Sequence, residues 1–138
     1  MDALADIKKW ASEYAQRYGN LKLEWSDYWD IELDYEETWP NNSKPGCYFI
    51  FNDGMELLYI GKASHIGARL SSYFRFDETR TKGVAKNIES WSSPPRFIVT
   101  VGLEHSYEAP SLEEYLLIHL KTSDNKLWQS SKTGENVL

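Results

Sequence analysis

Two β-rich runs, residues 47–51 (CYFIF) and 57–60 (LLYI), lie either side of Asn52-Asp53-Gly54. Runs this short, this apolar and this close in the chain pair back on each other, so the spacing predicts an antiparallel hairpin. Gly61-Lys62 follows directly, and Ser64 is placed to cap a helix running to about residue 74. A second, weaker helix is expected over residues 82–91 and a third strand over residues 97–101, with Pro94-Pro95 between them. Pro110-Ser111-Leu112-Glu113-Glu114 opens the last helix, Ser111 and Glu114 fitting a capping box. The expected fold class is α/β, more narrowly α+β: a small three-stranded antiparallel sheet flanked by helices.

Ahead of the hairpin the period of the pattern changes. Residues 2–18 place Leu4, Ile7, Ala11, Tyr14, Ala15 and Tyr18 at helical spacing, and Gly19 can end that helix. From Leu21 to Tyr35 the period falls to two. Leu21, Leu23, Trp25, Trp29, Ile31 and Leu33 alternate with lysine and acidic residues, which predicts two strands with an acidic outer face, broken near Ser26-Asp27. Residues 39–45 (WPNNSKP) form a loop by composition. The boundary is therefore expected there, with residues 1–44 an N-terminal helix and acidic strand extension packed on a core of residues 45–138. The tail carrying Ser130, Ser131, Gly134 and Asn136 is expected to fray.

With 138 residues the chain has room for one well-formed core. Six Trp and nine Tyr must do much of the packing. Cys47 is the sole cysteine, which excludes an internal disulfide and disfavours a thiolate zinc site. The first ten residues do not read as a signal peptide, and no apolar run approaches the roughly 20 residues that cross a bilayer. The expectation is a soluble, cytoplasmic protein. A net charge of −6 argues against a polyanionic partner, but the charge is unevenly spread. Residues 62–96 hold seven basic residues (Lys62, Arg69, Arg75, Arg80, Lys82, Lys86, Arg96) against three acidic ones, so positive charge gathers behind the hairpin.

Tyr48 and Tyr59 fall on adjacent strands, Lys62 at the strand-to-helix junction and Arg69 in the helix, with Gly61 leaving room for close approach. Phenols orient water or phosphate oxygens, and cations neutralise charge that builds on phosphorus. Each residue also has a plainer reading: the tyrosines as core rings, Arg69 as a surface ion pair, Glu113 as a solvated helix residue, Asn125 as a turn former. His65, His105 and His119 belong to no pattern and read as surface or partly buried side chains.

Taken together, Pro45-Gly46-Cys47-Tyr48, Tyr59-Ile60-Gly61-Lys62-Ala63, Arg69-Leu70 and Ser72-Tyr73-Phe74 closely resemble the GIY-YIG nuclease family. Within it the likeness is greatest to the N-terminal nuclease domain of the excision-repair C subunit. The resemblance implies a glutamate on a later helix and an asparagine about three turns on, and Glu113 with Asn125 match that spacing. It implies a DNA endonuclease in repair or defence, with RNA as an alternative substrate. Glu113 would hold one Mg2+ or Mn2+ ion, and Tyr48 and Tyr59 would position or deprotonate the attacking water, which of the two being open. Arg69 would stabilise the phosphorane with help from Lys62, Tyr73 would contact phosphate, and Asn125 would buttress the site. Gly61, Arg75, Arg80, Lys82 and Lys86 are expected along the substrate. The acidic extension departs from the family pattern. It opens the rival reading of a catalytically silent binding module whose extension meets a protein partner.

Overall fold

The computed structural model describes residues 2–125. A five-stranded antiparallel sheet forms its centre. The strands are β1 (Glu24–Trp25), β2 (Trp29–Asp30), β3 (Gly46–Asn52), β4 (Leu57–Ala63) and, later in the chain, β7 (Pro95–Gly102). The order β1-β7-β3-β4 puts β3 in the middle, and β2 shares the outer side of β7 with β1. The three expected strands are β3, β4 and β7. The N-terminal segment, expected to pack on the core, adds two short strands to their sheet, Trp25 facing Val101 and Trp29 facing Ile98.

Every residue of β3 is buried, because both faces of the sheet are covered. Cys47, Phe49 and Phe51 point to the side where α1 (Ala3–Arg17) and α3 (Glu108–His119) pack through Ile7, Ala11, Leu112 and Leu116. Tyr48 and Ile50 point to the other side, against Ile66 and Leu70 of α2 (Ile66–Ser71) and Phe74. Each fully buried Phe or Ile contributes about 1.5–3 kcal/mol, so this two-sided strand is the mechanical centre of the fold. α1 begins where the pattern placed it, with the Asp2 carboxylate accepting the Leu4 amide.

Several local expectations give way to tertiary pairing. The helix expected over residues 82–91 is absent. β5 (Phe74–Phe76) and β6 (Gly83–Ala85) form a two-stranded ribbon, followed by a 3-10 turn at Ile88–Ser90. Gly83 is a poor helix residue, and here its missing side chain makes room for the Tyr35 ring, which a Cβ would approach to 2.3 Å. α2 is capped by His65, whose Nδ1 accepts the Ala68 amide at 3.1 Å, not by Ser64, and it ends at Ser71 and not near residue 74. α3 starts at Glu108, three residues before the expected box. Ser111 instead accepts the Tyr14 hydroxyl at 2.6 Å, tying α3 to α1. The acidic strands shrink to two residues each, because the Asp30 carboxylate accepts the Glu32 and Leu33 amides and turns the chain, leaving Leu33 exposed. The tail expected to fray lies outside the described residues.

Candidate active site

Tyr48 and Gly61 are register partners across β3 and β4, on the α2 face. A Cβ on Gly61 would stand 2.2 Å from Tyr48 Cζ and 2.3 Å from its hydroxyl. The close approach that this glycine permits is therefore made by the Tyr48 ring, which lies across the neighbouring strand. Buried completely, Tyr48 shares a 2.8 Å hydrogen bond with the Tyr73 hydroxyl. Tyr59 and Tyr73 close the cluster, with ring centroids 5.8–6.2 Å apart among the three phenols. Trp91 sets its ring against both Tyr59 and Tyr73.

Burial pushes the Tyr48 phenol well above the ordinary range, and the neighbouring Tyr73 adds to the shift while Arg69 opposes it. Tyr59 is driven up for the same first reason, with Tyr73 and Glu113 adding to it. Both phenols are therefore neutral hydrogen-bonding groups near pH 7. Arg69 lies beside the Tyr48 hydroxyl, whose proximity holds its guanidinium more firmly protonated than usual. α2 is clamped in place to present this arginine. The Ile66 and Gly67 amides donate to the Lys44 and Asn42 carbonyls, and a Cβ at Gly67 would collide with the Asn42 side chain at 1.7 Å.

Glu113 comes from α3, which packs beside edge strand β4. Half-burial raises its carboxyl above the ordinary value, and Lys62 and Arg69 pull it back. Glu114, next in sequence, is exposed. Asn125 is 6% exposed and completes the edge of β4: its Oδ1 accepts the Ile60 amide at 2.9 Å and its Nδ2 donates to the Ile60 carbonyl at 3.1 Å. The Asp124 amide adds a bond to the Leu58 carbonyl. Lys62 and Arg69 also line a cleft of about 560 Å³ between α2 and the start of α3.

The fold thus gathers Tyr48, Tyr59, Lys62, Arg69, Tyr73 and Glu113, with Asn125 behind β4. The remaining cations are distributed along the β5–β6 ribbon. Lys86 is joined to Tyr73 through its amide, and Arg75 faces Val84 on the same side of the ribbon. Arg80 lies over the Phe76 ring, and Lys82 is 3.9 Å from Glu32. Arg96 is drawn away altogether. It grips the Asp30 carboxylate through two nitrogens at 2.8 and 2.9 Å and also reaches Asp53, which keeps Asp30 below the usual carboxylate range. Glu24, Asp30 and Glu32 of the acidic extension are thereby matched by Lys44, Arg96 and Lys82. Sequence reasoning missed Trp91, hidden in a helix that does not form, and the Asn42–Lys44 cradle, whose only trace was the glycine at position 67.

Two adjacent strands offering tyrosines to a helix-borne arginine, with a carboxylate arriving from a later helix, define a domain of the GIY-YIG class. The model of the UvrC-like GIY-YIG domain matches residues 44–122, more than half of the chain. The chain belongs to that family. Relatives include three proteins named UvrABC system protein C. That of Wolinella succinogenes is 33% identical over 103 residues, 73% of this chain and 17% of the relative. That of Nautilia profundicola is 34% identical over 91 residues, 65% and 15%, and that of Hyphomonas neptunium 36% over 96 residues, 70% and 15%. The chain thus spans about a sixth of the length of the curated relatives it matches. No solved structure matches it significantly. No helix among the described residues is long and apolar enough to cross a membrane.

Proposed function

We propose that this domain is a divalent-metal-dependent endonuclease that hydrolyses DNA phosphodiester bonds. The observation that carries the reading is the convergence of Arg69, Lys62 and Glu113 on a cluster of neutral phenols. Arg69 and Lys62 hold the phosphate and balance the charge that grows on its oxygens. Tyr59, protonated, orients the attacking water and the phosphate by hydrogen bonds, while the buried Tyr48 fixes the position of the Tyr73 hydroxyl beside it. Trp91 and Phe74 wall the phenols on their apolar sides, which strengthens these interactions by excluding solvent.

Among the described residues no group of three or more His, Cys, Asp or Glu could hold a metal ion. Glu113 alone suits a hard cation whose other ligands are water and substrate phosphate, as Mg2+ accepts. Bound there, the cation would polarise the phosphate and lower the pKa of nearby water and phenols. Nicking of supercoiled plasmid with Mg2+ or Mn2+ tests the proposal. Glu113→Gln is expected to lower the rate at least about a hundredfold. It should cost no stability, because burial already disfavours the charged form of this side chain. Equal nicking by wild type and variant, or none by either across both metals, would reject the reading.

A further inference from the structure

Lys62 and Arg69 have a second outlook. Besides acting on Glu113, they form the shared wall of the cleft between α2 and the start of α3, whose other lining includes Ser64, His65 and Ser106. His65, Ala68, Arg69 and Ser72 recur at helical spacing, so one stripe of α2 faces the cleft. His65 Nδ1 is committed to the Ala68 amide, which leaves the ring proton on Nε2 as a donor. Among the described residues no carboxylate lines the cleft. The nearby Glu108 carboxylate is turned to the His105 amide, and Glu104 is drawn toward the His105 ring.

Two cations, shared with Glu113 outside the lining, together with hydroxyl groups and an imidazole donor make an anion site. At about 560 Å³ the cleft has room for a nucleotide and not only a phosphate ion. We propose that it is a second phosphate subsite, which takes the nucleotide adjoining the cut. The strand is then held at two successive phosphates. One lies among Tyr59, Tyr73 and Glu113; the next lies on Ser64, His65 and Ser106, with Lys62 and Arg69 between them. This assignment rests on the phosphodiester reading of the site and adds to it where the strand runs.

Thymidine 3′,5′-bisphosphate titrated into the full chain in EDTA, followed by backbone amide shifts, tests the subsite without catalysis. Saturable shifts are expected at Ser64, His65, Ala68 and Ser106. Ser106→Asp and His65→Asp should each weaken binding about tenfold or more, the cost of one lost charge-assisted hydrogen bond plus repulsion. Aspartate at position 65 still caps α2, so a loss there does not report unfolding of the helix. Absence of saturable binding, shifts confined to Tyr59 and Glu113, or affinity unchanged in both variants would overturn the subsite. Plasmid nicking run in parallel reports on the nuclease reading alone. Bisphosphate bound in the cleft with the plasmid intact sinks that reading and leaves the subsite standing. Nicking without cleft binding does the reverse.

Discussion

Asn125 offers the sharpest test of how the site is supported. Its side-chain amide supplies both partners of the Ile60 peptide groups that face outward from edge strand β4, at 2.9 and 3.1 Å. Replacing it with alanine leaves a buried N–H and a buried C=O without partners. Each costs about 1–3 kcal/mol, so Asn125→Ala should destabilise the domain by about 2–6 kcal/mol. At roughly 3–4 °C per kcal/mol for a chain of this size, the melting temperature should fall by about 6–24 °C. Urea denaturation followed by far-UV circular dichroism measures this, with the transition midpoint falling at unchanged slope. Asn125→Asp provides an internal check. The carboxylate still accepts from the Ile60 amide but faces its carbonyl without a proton. Burial and that carbonyl favour the protonated acid, raising its folded pKa above the unfolded value. The variant should therefore regain stability as pH falls through the folded pKa. If Asn125→Ala unfolds within about 0.5 kcal/mol of wild type, water or another group is satisfying β4, and the argument for a peptide-mimicking side chain fails.

Gly61→Ala should displace the Tyr48 ring and break its bond to Tyr73, costing about 2–4 kcal/mol and abolishing any nicking; wild-type melting with activity retained would show the contact to be soft. Arg69→Lys should lower nicking about a hundredfold with unchanged far-UV circular dichroism, since lysine cannot reproduce the planar guanidinium against Tyr48; unchanged rates would remove Arg69 from the reaction. The raised Tyr48 and Tyr59 pKa values make a prediction at alkaline pH. Their neutral forms are favoured in the fold, so their contribution is fully present below the unfolded pKa of about 10 and is lost as pH rises above it. Denaturation midpoints between pH 9 and 11.5 should fall more steeply for wild type than for a Tyr48→Phe, Tyr59→Phe double variant; equal slopes would contradict the buried neutral phenols.

How much was legible differed from place to place, for reasons tied to particular residues. The hairpin was plain because the apolar runs at residues 47–51 and 57–60 and the turn between them are local information, and a strand buried on both faces leaves an unbroken apolar run. α1 was plain for the same reason, its stripe and its Asp2 start lying within a few residues of each other. The helix expected over residues 82–91 failed where local propensity met a long-range demand: Phe74 and Phe76 needed a partner strand, and Gly83 was spaced to admit Tyr35. The capping box at Ser111 failed because that hydroxyl serves Tyr14, ninety-seven residues away. The net charge of residues 62–96 overstated the free cations, since Arg96 belongs to Asp30.

By itself the sequence determined the element types around β3 and β4 and the family, and it marked a candidate residue set spaced from Tyr48 to Asn125. Those are properties of order and spacing along one chain. Tertiary structure alone decided which atoms meet: that Tyr48 occupies the space Gly61 leaves, and that Glu113 is half-buried near Lys62 and Arg69 while Glu114 is exposed. It also decided that the acidic extension adds strands and ion pairs to the same sheet. Those outcomes depend on pairing and burial between residues distant in sequence, where a side chain's direction and its desolvation are set by elements that no local pattern specifies.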